Sequence, residues 1–327
     1  MEWFEAILLG LLQGLTEFLP VSSSGHLQIG KELLGIDSGG DLVFEVVVHA
    51  ATVLSTIVVF RRQIWGLLKS LFVKDGLFRS IAHPSKFNDG TDYVLKICVS
   101  MIPVFIVGMF FKDAVEGIFG SSIYVVAGAL LVTALLLLLS DNASRLKFFG
   151  RRSCCKYKAP IVTAGSPHTS CEQMPEPQSS GAEGKENACD AVGKSGKGDA
   201  AGARNGISYW QAFVVGLGQA VAVLPGLSRS GATIATGLLC GVKRDVIAQF
   251  SFLMVLVPIL GEAFLEIVGG EMAASTVGAL PLVLGFVSAF IAGLFACKVM
   301  IALVKKTKLG WFTLYCAVVA VLIFIFA

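Results

Sequence analysis

The chain has 327 residues, 55% of them hydrophobic and 15% charged, with a mean hydropathy of +0.76. The apolar residues come in blocks long enough to cross a bilayer, which excludes an ordinary soluble domain and points to a polytopic all-α integral membrane protein. A net charge of +3 gives no sign of a nucleic-acid partner, and none is expected.

The N-terminus lacks a basic n-region, so no cleavable signal peptide is expected. Residues 3–20 are apolar but end in "EFLPVSSSGH". Proline breaks the helical ladder, and the serines and glycine after it suit a cap or loop. A helical pattern resumes over 27–35, so residues 3–35 read as a re-entrant helix–loop–helix pair; a kinked spanning helix is the plainer alternative. Broken backbone is tolerated at membrane depth only where protein shields it or it lines a wet cavity. Spanning helices are predicted over 42–60, 93–111 and 121–140. Residues 141–206 follow as a flexible linker, too poor in large apolar residues after Val162 to bury a core. The linker holds Cys154, Cys155, Cys171, Cys189 and His168, at spacings that match no common zinc pattern. Residues 207–225 then end in "AVLPGLSRSG" and predict a second re-entrant pair over 207–241, with spans over 250–269, 280–304 and 310–327.

Adding 206 to a residue number in the first segment retrieves the second. Ala6/Ala212, Gly10/Gly216, Leu11/Leu217, Gln13/Gln219, Ser22/Ser228, Ser24/Ser230, Gly25/Gly231, Leu33/Leu239, Gly35/Gly241 and Phe44/Phe250 are identical without a gap. Composition alone would give roughly three or four such pairs. The excess predicts a duplicated unit of one re-entrant pair plus three spanning helices, 1–140 and 207–327. Three crossings is an odd number, so the second copy enters from the opposite side. In inverted repeats of this kind, sites lie near the midplane where the discontinuous helices meet.

Cation counting sets the orientation. The loops around 61–92, 141–206, 243–244 and 305–309 carry 21 of the 26 Lys and Arg, while the other side has only Lys31 and Lys112. The positive-inside rule makes the rich side cytoplasmic, with both termini and the mouth of the first re-entrant loop outside. Lys96 and Lys298 lie near segment ends and are expected to snorkel. Cys98, Cys240, Cys297 and Cys316 are expected to be small packing residues.

Glu17 and Arg229 are the ionisable residues best placed for the bilayer centre, where a charge costs roughly 2.5–3.5 kcal/mol on insertion scales. A buried ion pair that only fixes register would account for them. Their surroundings favour a ligand instead. Ser22 and Ser24, like Ser228 and Ser230, stand where N-caps would open two half-helices, and helix N-termini attract anions. Gly25 and Gly231 allow close backbone approach. The planar fork of Arg229 suits phosphate oxygens. A phosphate held against a carboxylate implies a divalent cation between them, Mg²⁺ or another such as Ca²⁺. Glu17 would hold it, with Gln13 four residues earlier on the same helix face as a neutral oxygen ligand or hydrogen-bond donor. A serine can attack phosphorus if a base such as His26 takes its proton.

"QGLTEFLPVSSSGH" with "LPGLSRSGATI" resembles the bacterial undecaprenyl-pyrophosphate phosphatase family, also linked to bacitracin resistance. The matching elements are Gln13 to Glu17, the serine loop ending in His26, Pro225 to Gly231, and "FEVVV" and "FSFLM" at 44–48 and 250–254. Residues 145–206 are longer than the family pattern leads one to expect. The resemblance implies a multi-pass enzyme of the bacterial cytoplasmic membrane that removes the terminal phosphate from a C55 polyprenyl diphosphate, recycling the lipid carrier for cell-wall glycans. It implies that Glu17 is essential, through the metal, and that Ser23 is the nucleophile. His26 is implied as acid/base partner and Arg229 as the pyrophosphate clamp. Whether Ser23 or His26 attacks stays open, as does a homodimer. A transporter or flippase of an anionic lipid or solute is the rival, since it needs only Arg229 and the helix termini. A lipid phosphatase of the acid-phosphatase type is excluded, because no histidine follows Arg229.

Overall fold

The computed structural model describes residues 1–36, 42–72, 89–110, 123–142, 206–224, 226–269, 277–306 and 309–326. Among the described residues the chain is all-helical, without strands. In chain order the helices are α1 (Trp3–Thr16), α2 (Ser23–Leu33), α3 (Leu42–Phe72), α4 (Asp89–Phe110) and α5 (Ile123–Asp141). They continue with α6 (Tyr209–Val221), α7 (Arg229–Leu239), α8 (Arg244–Gly269), α9 (Ala279–Lys306) and α10 (Gly310–Phe326). The predicted linker lies outside the described residues from 143 to 205.

Five helices, α3, α4, α5, α8 and α9, are long and apolar enough to cross a membrane. α10 has 17 residues, the lower end of the spanning range. α3 runs 12 residues past the expected end at 60, through Arg61 and Arg62 to Phe72. Charges end an apolar block but do not stop a helix; only a cap, glycine or proline does that. The large side chains left uncovered by protein are apolar, for instance Phe105, Phe295 and Leu314 at 57–65% exposure. All four tryptophans, Trp3, Trp65, Trp210 and Trp311, are at least 55% exposed, and three of them sit in the first turn of a helix. Such rings favour the lipid–water interface.

α1, α2, α6 and α7 have only 14, 11, 13 and 11 residues, each too short to span. Their local chemistry recurs 206 residues on. Glu2 and Glu5 form a capping box on α1, and Ser208 and Gln211 form one on α6. Ser22 caps α2 through the Gly25 N–H, and Ser228 caps α7 through the Gly231 N–H. Gly35 and Gly241 stop those helices at φ of +66° and +79°, where a Cβ would be strained. Packing follows the same exchange: α1 docks on α9, and its counterpart α6 docks on α4.

Small residues permit that docking. Gly10 and Gly14 form a Gly-x-x-x-Gly stripe on α1 that meets Gly285, Ser288, Ala289 and Gly293 of α9. A Cβ at Gly10 would lie 2.1 Å from the Ser288 hydroxyl and 2.4 Å from the Gly285 carbonyl. A Cβ at Gly216 would lie 2.2 Å from the Ser100 carbonyl on α4. Gly10→Ala is therefore expected to destabilise by about 3 kcal/mol, the upper end of typical overpacking costs, because backbone must move. Thermal unfolding in detergent checks this against Gly66→Ala, where the added methyl meets nothing within 4 Å.

Lys96 corrects an expectation. It does not snorkel; it is fully buried, and its ammonium donates to Asp92 at 2.6 Å, one turn earlier on α4. The Tyr209 hydroxyl donates to the other Asp92 oxygen at 2.8 Å, tying α6 to α4. Two charges and a phenol that satisfy one another remove the need to reach water. Lys298 is exposed. Among the cysteines, Cys297 and Cys316 are buried and Cys98 is exposed.

Candidate active site

The breaks between α1 and α2 and between α6 and α7 meet. Ser230 donates its hydroxyl to the Leu19 carbonyl at 3.2 Å, and a Cβ on Gly231 would touch the Pro20 ring at 3.2 Å. Gly226, at φ +78°, lies so close to α5 that a Cβ there would be 2.8 Å from the Val126 backbone. Close approach and a left-handed backbone together require glycine. The N-termini of α2 and α7 therefore open beside one another.

Glu17 closes the last turn of α1 with its side chain only 8% exposed. Four partners converge on its carboxylate. Gln13 donates an amide N–H to Oε2 at 2.7 Å, and Ser23 donates its hydroxyl to the same oxygen at 2.6 Å. Arg229 places Nη2 3.7 Å from Oε1. His49 of α3 places Nε2 3.7 Å from Oε2. Residues 17 and 229 are thus neighbours across the two breaks, within the span of a bound anion. Ser22 and Ser24 pair their hydroxyls at 3.4 Å, and Ser228 and Ser230 do so at 3.3 Å.

Ser22 is the only non-glycine residue with positive φ among the described residues, at 69°. Strain of this kind costs on the order of 1–3 kcal/mol and persists only where the surroundings fix it. His26 is what fixes it. Its Nδ1 donates to the Ser22 carbonyl at 2.7 Å, which leaves Nε2 to accept the Tyr315 hydroxyl at 2.8 Å. The two rings stack, 11° from parallel. The structure does not bring His26 to Ser23, as the expected acid/base pairing required. Both imidazole nitrogens are engaged in holding the turn, and the hydroxyl of Ser23 turns to Glu17.

An open cleft runs from these groups. Glu17, Ser22, Ser23, Ser24, Ser228, Arg229 and Ser230 line its polar end, and Val53, Phe252, Val255, Leu256 and Ile259 of α3 and α8 line an apolar wall. A headgroup of negative charge on an apolar tail matches that division. Gly25 and Gly231 contribute backbone N–H groups to the serine caps at its polar end.

The donors by Glu17 suit a hard divalent cation. Gln13 Oε1 is buried without a hydrogen-bond partner beside the carboxylate, and the neighbouring hydroxyls are oxygen donors too. Among the described residues no three His, Cys, Asp or Glu side chains cluster, so any such site relies on neutral oxygens or smaller sets. The side chains of Glu262 and Glu266, the carboxylates of α8 past Pro258, lie outside the described residues.

Sequence reasoning missed His49, Thr52, Thr56 and Tyr315. A signal existed for His49, a lone imidazole inside an apolar span and one turn beyond Glu45. Thr52 and Thr56 extend the same helix face into the cleft. Nothing in the sequence pointed to Tyr315, 289 residues from its partner.

Fold and site together define a polytopic helical membrane protein with a cleft built from two helix N-termini, a carboxylate and a guanidinium. The chain belongs to the BacA family: the family model described as "Bacitracin resistance protein BacA" matches residues 6–163 and 188–322. It is 44% identical over 324 residues to a protein of Bacteroides fragilis named undecaprenyl-diphosphatase, covering 98% of this chain and 97% of the relative. Relatives of the same name from Parabacteroides distasonis and Christiangramia forsetii are 43% and 40% identical over 97% and 100% of this chain, and over 96% and 99% of their own length. These alignments span the 145–206 segment. The family model, by contrast, leaves out residues 164–187 within it.

Proposed function

We propose that the chain hydrolyses undecaprenyl diphosphate to undecaprenyl phosphate and inorganic phosphate, returning the lipid carrier to cell-wall synthesis. The observation that carries this reading is the convergence of Ser23 and Arg229 on the Glu17 carboxylate between two serine-capped helix N-termini. Family membership and the names of the relatives support the substrate and the reaction.

The diphosphate enters sideways, with its tail along the apolar wall between α3 and α8. Its terminal phosphoryl group lies against Arg229 and the N–H groups that open α2 and α7, which stabilise the charge of an in-line transfer. Ser23 Oγ bonds to the terminal phosphorus as the bond to the bridging oxygen breaks. The serine proton passes to Glu17, its hydrogen-bond partner at 2.6 Å. Undecaprenyl phosphate leaves, and water cleaves the phosphoserine to release phosphate and restore the hydroxyl. His26 positions the Ser22 turn through its two hydrogen bonds. A divalent cation, Mg²⁺ or Ca²⁺, would be held by Glu17 and Gln13 and would neutralise charge between the carboxylate and the diphosphate.

The protein lies in the cytoplasmic membrane, with both termini and the cleft facing outward and residues 141–206 inside. The exchanged packing of α1 on α9 and α6 on α4 supports two repeats, 1–140 and 207–327, inserted in opposite directions. The test is phosphate release from undecaprenyl diphosphate by the purified chain in detergent, beside uptake assays in vesicles. Release that depends on Ser23 is expected. Anion or lipid movement without release would establish the transporter instead.

A further inference from the structure

His49 has a ring nitrogen whose role the proposed reaction does not use. Its Nδ1 lies 2.8 Å from the Glu45 carbonyl oxygen. A carbonyl can only accept, so Nδ1 carries the hydrogen, and in the neutral ring Nε2 presents a bare lone pair. Nε2 lies 3.7 Å from Glu17 Oε2, itself a lone-pair donor. The separation is too long for a hydrogen bond. Two Lewis bases this close are drawn together by a positive centre, either a proton on the ring, which makes an ion pair, or a metal ion that both ligate. An ion roughly 2.1 Å from each atom spans the gap, as nitrogen and carboxylate ligands of transition metals do. The imidazole is also held rigidly from behind by its bond to a backbone carbonyl, the usual support of a metal-binding histidine.

We infer that His49 Nε2 is a ligand, with Glu17, of the divalent cation at this site, so that the chain favours a first-row transition-metal ion such as Fe²⁺ or Zn²⁺ over Ca²⁺, with Mn²⁺ as its paramagnetic probe. The inference rests on the cation reading given above and adds to it a nitrogen ligand and the preference that follows. Imidazole suits transition ions, whereas all-oxygen sets suit Mg²⁺ and Ca²⁺.

The experiment uses the full-length chain purified in detergent and titrated with Mn²⁺. The loss of the free-ion electron paramagnetic resonance signal measures binding. Electron spin echo modulation of the bound ion reports any directly coordinated ¹⁴N. Modulation from one imidazole nitrogen is expected in the unaltered protein, and in His83→Gln and His168→Gln, but not in His49→Gln. Losing even an outer partner of a metal ligand costs roughly 10–100-fold in affinity, so His49→Gln is expected to weaken Mn²⁺ by at least about tenfold. Ca²⁺ should then compete about tenfold better. Bound Mn²⁺ without ¹⁴N modulation, or modulation that survives His49→Gln, would overturn the histidine ligand and leave the cation reading standing. No Mn²⁺ binding, with Mg²⁺ and Ca²⁺ also unbound by calorimetry, would overturn both. Should His49→Gln fail to fold, His49→Asn takes its place, and absence of ¹⁴N modulation in the unaltered protein overturns the histidine ligand by itself.

Discussion

Ser23→Ala is expected to lower kcat for phosphate release by at least about 10⁴-fold, the scale on which loss of an attacking group is felt when the rest of a site remains. KM should change little. The groups that bind the headgroup, Arg229 and the N–H groups of α2 and α7, do not depend on the Ser23 hydroxyl; α2 is capped by Ser22 and α7 by Ser228. Alanine also suits the first turn of a helix, so fold should persist. What Glu17 loses is one of two hydrogen bonds to Oε2, since Gln13 keeps the other. The covalent intermediate offers a second readout. Rapid quenching with labelled diphosphate should trap phosphate on the protein in a form stable to acid and labile to base, as a serine ester is. An acid-labile adduct that survives in Ser23→Ala would shift the attack to histidine. The geometry opposes that outcome, because both nitrogens of His26 are already bound to Ser22 and Tyr315.

The contrast between these two side chains shows what the sequence could convey. Helix breaks, caps and stops follow from short-range rules, and Ser22, Ser228, Gly35 and Gly241 were legible because proline, serine and glycine act on their own neighbours. Proximity of Glu17 to Arg229 was legible for another reason: a buried charge has few ways to exist, and each was the other's best partner. The direction in which a hydroxyl or an imidazole points is set by contacts far along the chain. Tyr315 takes the Nε2 of His26 from α10, and His49 reaches Glu17 from α3. No spacing rule announces either. Lys96 failed to fit expectation for the same reason, since Tyr209 completes its cluster from 117 residues past Asp92.

The proposed duplication also has a limit that sharpens the function of its first half. Gln219 is the counterpart of Gln13 and is equally buried, yet both polar atoms of its amide lack a hydrogen-bond partner. The position matching Glu17 is Val223, so the second copy has no carboxylate to receive that amide. Arginine stands instead where the first copy has Ser23. One copy thus supplies acid and alcohol and the other supplies the cation, and only their junction holds a full set.

That division makes Glu17→Gln the most informative exchange. It preserves shape, and its amide oxygen can still accept from Ser23 or Gln13, so the loops should keep their places. It removes a negative charge, and with it the proton acceptor for Ser23 and a cation ligand. A fall in kcat of at least about 10³-fold is expected, comparable to losing a general base together with part of the electrostatic framework. Two further measurements separate the roles. Arg229 is 24% exposed and loses the negative charge of Glu17 beside it, so it should hold an anion more freely. A non-hydrolysable methylene diphosphonate lipid should therefore bind as well as before or better in the absence of divalent ions. If Glu17 also carries the cation, the concentration of Mg²⁺ or Mn²⁺ needed for residual activity should rise by at least about tenfold, in line with the loss of a ligand. A kcat within tenfold of the unaltered protein, at an unchanged metal requirement, would reduce the pair of Glu17 and Arg229 to a register-fixing ion pair and leave Ser23 without its base.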